Sequence, residues 1–169
     1  KKIESIPTLT STDRPIPQSY HRKSQLNYRY IFENFIEGNS NQFARAAAIS
    51  VSENPAQTPY NPLLIYSSPG LGKTHLLQAI GNKIIRQNPN MRVVYLTSEK
   101  FMLDFISSIQ KNHSTDFINH YRNIDMLLLD DAQFFQSKEQ TQEQFFHLFN
   151  DLFQQGKQII LTTDRHPNE

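Results

Sequence analysis

The stretch that decides the fold is Pro62-Leu63-Leu64-Ile65-Tyr66-Ser67-Ser68-Pro69-Gly70-Leu71-Gly72-Lys73-Thr74. Its first five residues form a short apolar run of the kind that a buried strand uses. After Thr74, apolar residues recur at the spacing of one helix face, at Leu76, Leu77, Ile80, Ile84 and Ile85. The order of strand, glycine-containing loop, Gly-Lys-Thr and helix predicts a phosphate-binding P-loop.

The residue types in this loop suit the binding of phosphate groups. In such loops the backbone N–H groups line a concave anion site, and the helix that begins near Gly72 contributes the positive end of its dipole. We expect Lys73 to reach the outer phosphates and the Thr74 hydroxyl to bind Mg²⁺. An ordinary turn that enters a surface helix is the alternative explanation of Gly-Lys-Thr.

One position departs from the usual P-loop pattern, which has Gly where this chain has Ser67. Gly is used in such loops because a left-handed backbone costs other residues roughly 1–2 kcal/mol. Ser67 therefore predicts a weaker nucleotide site, unless its hydroxyl makes a local hydrogen bond that stabilises the turn.

Composition limits the class of protein. The 169 residues, 37% hydrophobic and 20% charged, predict one domain or one domain with a tail. A net charge of +1 excludes a polybasic nucleic-acid binder, so any DNA contact must come from a local surface. The chain has no cysteine, and no run approaches the roughly 18 apolar residues of a membrane span. Without a signal-peptide pattern, we expect a cytoplasmic protein.

The order of elements along the chain predicts a linker at residues 1–26 and a folded core at 27–169. Proline and polar residues fill the linker. After an N-cap candidate at Gly38-Asn39-Ser40, a helix is expected over about 41–53, with Phe43, Ala46, Ala47 and Val51 on its inner side.

Beyond the P-loop helix, strands alternate with helices. Strands are expected at 92–97, 124–131 and 158–164, and helices at 98–110 with Ser98 as its cap, 114–121, and 138–155 with Gly156 as its stop. Because the strands are apolar on both faces, the pattern predicts an α/β fold with a parallel sheet between two helical layers. Ligands bind beyond the carboxyl ends of such strands, where Ser67–Thr74, Asp130–Asp131 and Thr163–Asp164 are expected to meet.

Two acidic residues at a strand end complete the predicted site. Asp130 is placed to hold a metal ion together with Thr74, and Asp131 to face an attacking water. A turn after a hydrophobic strand is the alternative for this pair. At the end of the last strand, Thr162-Thr163-Asp164-Arg165 would bring polar groups beside the γ-phosphate, and a turn explains these residues equally well. The histidines show no metal-ligand spacing, and the Phe-rich segment Phe145–Phe153 is expected to be core.

Longer motifs resemble the DnaA family of bacterial chromosomal replication initiators, which are AAA+ ATPases, over about residues 26–169. The motifs that carry this resemblance are Asn61-Pro62-Leu63, Gly70-Leu71-Gly72-Lys73-Thr74-His75-Leu76-Leu77-Gln78-Ala79-Ile80-Gly81-Asn82, Ser98-Glu99-Lys100-Phe101, Leu128-Leu129-Asp130-Asp131-Ala132-Gln133-Phe134, Glu143-Gln144-Phe145-Phe146-His147 and Thr163-Asp164-Arg165-His166-Pro167.

The resemblance implies a RecA-like P-loop core that binds ATP or ADP with Mg²⁺. The nucleotide-binding residues that it implies are Ser68, Pro69, Gly70, Leu71, Gly72, Lys73, Thr74, His75, Asp164 as the sensor-1 residue, and Ile36 in an adenine pocket formed by Tyr30–Ile36 and the helix after Ser40. Thr74 and Asp130 are the implied metal ligands. Lys73 and Asp131 are the implied catalytic residues.

The resemblance also implies partners. The paired helices of about 98–121 resemble the insertion with which initiators grip single-stranded origin DNA, and Ile106 and Lys138 occupy contact-like positions. Gln140 stands where some members carry Arg, so one phosphate contact is expected to be missing. ATP-dependent self-assembly on the origin, duplex opening, and contacts with the replicative helicase and regulators are implied as well.

The chain stops near Glu169, before the segment where the family has its arginine finger, sensor-2 arginine, helical lid and double-stranded DNA reader. An arginine finger contributes about 10³–10⁵ in rate. We therefore expect a slow ATPase in the intact protein and almost no hydrolysis by this chain. A helicase-loader or regulatory paralogue, a small P-loop kinase and an interaction module without nucleotide binding are the alternatives.

Overall fold

The computed structural model describes residues 24–166, which form one parallel sheet covered by helices on both faces. Its strands are β1 (Leu63–Tyr66), β2 (Val93–Thr97), β3 (Met126–Asp130) and β4 (Gln158–Thr163), in the order β1-β4-β3-β2. The helices are α1 (Gln42–Glu53), α2 (Lys73–Gln87), α3 (Ser98–Gln110), α4 (Ser114–Arg122) and α5 (Glu139–Gln154). Short 3-10 turns lie at Phe32–Asn34 and Ala132–Phe135.

Two hydrophobic cores lie on opposite faces of the sheet. Alternate residues of β3 point to opposite faces, because the side chains of a strand alternate with period two. Met126 and Leu128 join the core under α1 and α2, whereas Leu127 and Leu129 join the core under α3, α4 and α5. Every residue of β3 is buried. The three-layer α/β fold predicted from the sequence is confirmed.

The end of α5 follows the local sequence as expected. Gly156 has a φ of +68°, the left-handed conformation in which Gly avoids the clash of a Cβ. Its N–H donates to the carbonyl of Phe153 at 3.0 Å, and the N–H of Lys157 donates to the carbonyl of Leu152 at 3.0 Å. These two bonds satisfy carbonyls that the helix end leaves open, so Gly156 ends the helix.

The inner face of α1 differs from the prediction. Phe43 is 76% exposed and Ala46 is also exposed, while Ala47, Ala48 and Val51 are buried. The run of alanines fits more than one helix face, and packing against α2 selects the face with the smallest side chains. The aromatic residue therefore points away from the core.

Two further predictions need correction. The cap of α3 is Thr97, whose hydroxyl accepts the Lys100 N–H at 3.1 Å, whereas Ser98 is fully buried. In α5, Phe145 is buried but Phe146 is 59% exposed, so the Phe-rich segment is core on one face only. Leu26, at the expected boundary between linker and core, is buried in the first core, and the boundary itself stays a prediction. Residues 1–23 lie outside the described part.

No helix within residues 24–166 is long and apolar enough to cross a membrane.

The amino ends of three strands are joined by Asp125, which lies just before β3. Its carboxylate accepts the backbone N–H of Arg92 at 2.9 Å, and it also contacts the Arg92 guanidinium and the Lys157 ammonium, at 3.3 and 3.1 Å. Partial burial pushes the pKa of Asp125 up, but these bonds outweigh it and hold that pKa below its usual value.

We predict that Asp125→Asn lowers the free energy of unfolding at pH 7 by roughly 1–2 kcal/mol, because charge-assisted hydrogen bonds are lost. A depressed folded pKa stabilises the protein above the unfolded pKa, and this contribution disappears as pH falls through the folded value. The difference between variant and parent should therefore shrink as pH falls below about 4. Denaturant titrations between pH 7 and pH 3 test this, with the exposed Asp116→Asn as the control. A difference that is constant over this range would contradict it.

Candidate nucleotide-binding site

The P-loop runs from the end of β1 to the start of α2, and its glycines adopt the conformation that the motif requires. Gly70 and Gly72 have φ values of +82° and +87°. A Cβ on Gly72 would also lie 3.0 Å from the ring of Phe35. A residue with a side chain would therefore be strained here by the positive φ and by close contact with Phe35.

Ser67 does not adopt a left-handed backbone. Within residues 24–166, the residues other than glycine that have a positive φ are Gln25, Ala56, Asn112, Asp131 and Ser137. The cost expected for a side chain at this position therefore does not arise. The Ser67 hydroxyl donates to the carbonyl of Ser68 at 3.2 Å, and the Ser67 N–H donates to the carbonyl of Thr163 at 3.3 Å. The loop accepts serine here.

Lys73 is a buried cation that faces backbone carbonyls. Only 8% of its surface is exposed, and its Nζ donates to the carbonyls of Ser67 at 2.7 Å and Ser68 at 3.2 Å. Within residues 24–166 it forms no ion pair with a carboxylate. A buried ammonium that is held only by neutral acceptors is suited to pair with a phosphate.

Asp130, at the end of β3, is the centre of a buried polar cluster. It is 1% exposed, and three hydroxyl groups donate to its carboxylate. Thr74 and Tyr95 donate to Oδ2 at 2.6 and 3.1 Å, and Thr162 donates to Oδ1. Burial, and then the charge of Asp130, raises the pKa of the Tyr95 phenol, so the phenol remains a donor at neutral pH.

The Thr74 hydroxyl and the Asp130 carboxylate are hard oxygen donors of the type that Mg²⁺ prefers. No group of three or more His or acidic side chains that could hold a metal by itself occurs within residues 24–166. The donors present therefore fit Mg²⁺ that is shared with a phosphate ligand, which is how such ions are usually bound.

Asp131 has an unusual backbone for a residue with a side chain. Its φ and ψ are +57° and +51°, a left-handed conformation that costs of order 1–3 kcal/mol and is frequent at functional sites. Hydrogen bonds hold it on both sides, because its N–H donates to Thr162 Oγ1 at 3.0 Å and its carbonyl accepts from the Ser98 hydroxyl. The carboxylate accepts the side-chain N–H of Gln133 at 3.2 Å.

These groups surround a cavity of about 420 Å³ at the carboxyl ends of the strands. It is lined by Tyr30, Pro69, Gly70, Gly72, Lys73, Thr74, His75, Asp131, Gln133, Phe134 and Asp164. A larger cavity of about 690 Å³ opens at the amino ends of β2 and β3, but its lining contains no carboxylate and no P-loop residue. The chemistry assigns the candidate site to the smaller cavity.

Most of the residues predicted for the nucleotide and metal site are brought together here, but four of them are not among the lining residues. Ile36 is 87% exposed and does not line this cavity, so its place in an adenine pocket stays a prediction. Leu71 is 59% exposed and Ser68 faces Lys73 only through its carbonyl. Asp130 is buried and contacts the cavity-lining Thr74 through a hydrogen bond from the Thr74 hydroxyl. The segment before α1 reaches the cavity through Tyr30 instead.

A strap formed by Asn27–Ile31 is held on α2 by three polar side chains that share one helix face. His75 Nε2 contacts the Ile31 carbonyl at 2.8 Å, so this nitrogen carries the proton. Gln78 Oε1 accepts the Asn27 N–H at 2.8 Å, and Asn82 Nδ2 donates to the carbonyls of Asn27 and Tyr30, both at 2.8 Å. Gln78 and Asn82 are buried together with the apolar face, and the strap places Tyr30 at the cavity.

The residues expected to contact DNA lie outside this cavity. Ile106 is 43% exposed on α3, and Lys138 is exposed immediately before α5. His113, His120 and His147 lie on or beside α4 and α5, and none of them lines the nucleotide cavity.

The family model of the bacterial DnaA ATPase domain matches residues 26–169 of this chain. The chain belongs to the DnaA family. Domain III of the replication initiation protein DnaA from Thermotoga maritima is 46% identical with a TM-score of 0.82; the match covers 85% of this chain and 60% of that one.

Two further DnaA structures are similarly close. AMPPCP-bound DnaA from Aquifex aeolicus is 44% identical, with a TM-score of 0.80, and the match covers 85% of this chain and 44% of that one. A structure of the replication initiator DnaA bound to AMPPCP and single-stranded DNA matches with the same figures. The chain thus spans about half the length of the DnaA structures that it resembles.

Helicase-loader structures share the fold at much lower identity. DnaI matches at 18% identity with a TM-score of 0.66, and the DnaC helicase loader at 20% with 0.63. Identities this low show the fold alone. Because the chain belongs to the DnaA family, the helicase-loader and P-loop kinase alternatives are rejected.

Sequence reasoning missed several residues of the site. Tyr95 has the pattern of a core residue in a strand, and only its hydroxyl contact with Asp130 shows another role. Gln133 and Phe134 stand directly after the acidic pair, and this proximity was the available signal. Thr162 belongs to a polar strand end that a turn explained equally well.

We predict that Thr162→Val lowers the free energy of unfolding by roughly 1–3 kcal/mol, because it removes a donor to Asp130 and leaves the partly buried Asp131 N–H without its acceptor. Thr163→Val is the matched control, since Thr163 is also a buried residue at the end of β4, and within residues 24–166 its hydroxyl accepts only the Arg165 N–H and does not contact Asp130. Denaturant unfolding of both variants measures the difference. Equal losses in the two variants would contradict the role of the Asp130 cluster.

Proposed function

We propose that this chain is the ATP-binding core of a bacterial replication initiator, which binds ATP or ADP together with Mg²⁺. The observation that carries the proposal is the 2.6 Å hydrogen bond from Thr74 to Asp130, which joins the P-loop to the acidic strand end. The AMPPCP-bound relative supports the same ligand class.

The residues take the following roles in this proposal. Backbone N–H groups of the loop from Ser68 to Gly72, with Pro69 and Gly70 within it and Leu71 at its exposed tip, receive the phosphates together with Lys73. Thr74 and Asp130 hold Mg²⁺, which neutralises phosphate charge when bound. Tyr30 and His75, which lie 5.0 Å apart between ring centroids, provide an aromatic wall for the base.

Slow ATP hydrolysis is the reaction that this arrangement favours in the intact protein. Asp131 orients and polarises the attacking water, and its hydrogen bonds keep it at the edge of the cavity. Asp164 lines the same cavity, and its Oδ1 is buried with no hydrogen-bond partner among residues 24–166, so it is available to a water or ligand there. Hydrolysis then acts as an off-switch, because elements fixed by the terminal phosphate relax when it is lost.

We further propose that the nucleotide controls assembly of this protein on the chromosomal origin and its opening of the duplex. Ile106 and Lys138 contribute an apolar and a cationic contact to single-stranded DNA, in line with the DNA-bound relative. Partners in the cytoplasm include further copies of the protein, the replicative helicase and regulators of initiation.

Lys73→Ala tests the nucleotide site. We expect it to weaken binding of Mg²⁺-ATP and Mg²⁺-ADP by at least about tenfold, because a charge-assisted contact is lost. Ser67→Gly should change both affinities little, since the Ser67 backbone is not left-handed. Calorimetric titration measures the affinities, with the exposed Lys111→Ala as the control. Unchanged binding by Lys73→Ala, or no binding by the parent chain, would overturn the proposal.

The DNA proposal is tested with a single-stranded oligonucleotide in the presence of Mg²⁺-ATP. Lys138→Ala should weaken binding and reduce the slope of log affinity against log salt by about 0.7, the value for one contact to single-stranded nucleic acid. Ile106→Ala should weaken binding without changing that slope. Lys83→Ala, on α2 at the opposite face of the sheet, is the control and should bind as the parent does. Full affinity in both test variants would rule out this surface.

A further inference from the structure

Gln133 bridges the two strand ends that border the nucleotide cavity. It lies in the 3-10 turn after β3 and lines the cavity. Its Nε2 donates to Asp131 Oδ1 at 3.2 Å, and its Oε1 accepts the backbone N–H of Asp164, beyond β4, at 3.3 Å. The two partners fix the orientation of the amide, because a flipped amide would place its carbonyl against the carboxylate.

The Asp131 carboxylate is held by fewer hydrogen bonds than the Asp131 backbone. The backbone of Asp131 is held on both sides, by Thr162 and Ser98. Within residues 24–166, the Gln133 amide is the only group that hydrogen-bonds the Asp131 carboxylate. The position of this negative charge at the cavity therefore depends on Gln133.

We propose that Gln133 is a positioning residue that lets the site distinguish a nucleoside triphosphate from a diphosphate. This inference rests on the proposed function, since it requires that the cavity binds nucleotides. Gln133 acts through Asp131: its N–H restrains the carboxylate and partly satisfies its charge. The same side chain ties the turn that carries Asp164 to the end of β3.

The consequence for ligand affinity follows from charge. A released Asp131 carboxylate is free to rotate toward the phosphates, and repulsion between like charges in a partly buried site is stronger than in water. A triphosphate carries one more phosphoryl group than a diphosphate, and the outermost group is the one that P-loop sites present to water-orienting residues. Loss of the bridge should therefore weaken triphosphate binding and spare ADP.

The experiment measures Mg²⁺-AMPPCP and Mg²⁺-ADP affinities for the whole chain with Gln133→Ala, Gln133→Glu and the exposed control Gln136→Ala. We expect Gln133→Ala to weaken AMPPCP binding about tenfold, as for a lost hydrogen bond to a charged group, and ADP binding less than twofold. Gln133→Glu should be worse for AMPPCP, because it places a second carboxylate beside Asp131. Gln136→Ala should leave both affinities unchanged.

A double-mutant cycle with Asp131→Asn separates positioning from general packing. In the Asp131→Asn background, Gln133→Ala should no longer change the ratio of the two affinities, because the charge through which it acts is gone. Melting temperatures check that each variant is folded, and the isosteric Gln133→Glu serves if the alanine variant unfolds.

The possible results are distinguishable. An unchanged ratio in both Gln133 variants, equal losses for both ligands, or an undiminished effect in the Asp131→Asn background would overturn the inference while nucleotide binding by the parent chain stands. Absence of binding of either nucleotide to the parent chain would instead overturn the proposed function, and this inference with it.

Discussion

The buried carboxylate of Asp130 is the constraint on which the rest of the site depends. Removing an ionised group from water costs several kcal/mol unless hydrogen bonds replace the water. Here three hydroxyl groups do so, and they come from α2, β2 and β4. Because each must reach one side chain on β3, the cluster fixes the P-loop helix and both neighbouring strands relative to the central strand.

The same helix that carries the P-loop also organises the segment before α1. Helix α2 buries an apolar face against the sheet, and it places His75, Gln78 and Asn82 against the backbone of the strap. These hydrogen bonds are partly buried, and a backbone without regular secondary structure needs such partners where it packs on a helix, since unpaired polar groups are costly there. The position of the strap is therefore set by its hydrogen bonds to α2.

The two ends of the sheet have opposite characters. At the amino ends, both carboxylate oxygens of Asp125 accept hydrogen bonds from Arg92 and Lys157. These bonds stabilise the folded state. At the carboxyl ends, Asp131 has a left-handed backbone. Among residues 24–166, the Lys73 ammonium contacts only carbonyls and the buried Oδ1 of Asp164 has no hydrogen-bond partner. Strained and unsatisfied groups are frequent at functional sites, which supports the proposed nucleotide site at this end of the sheet.

The sequence by itself determined the P-loop, the alternation of strands and helices, and the meeting of Thr74 with Asp130. These follow from local patterns: apolar periodicity, glycine at left-handed positions, and acids at the end of a buried parallel strand. Only the tertiary structure decided that Tyr95 and Thr162 complete the Asp130 cluster, that Tyr30 rather than Ile36 reaches the cavity, and that Gln133 joins two strand ends. Such hydrogen bonds join residues more than thirty positions apart, as the separations of 35 for Tyr95 and 32 for Thr162 show. A hydroxyl or amide has no periodic signature, so its partner is set by how the helices and strands pack.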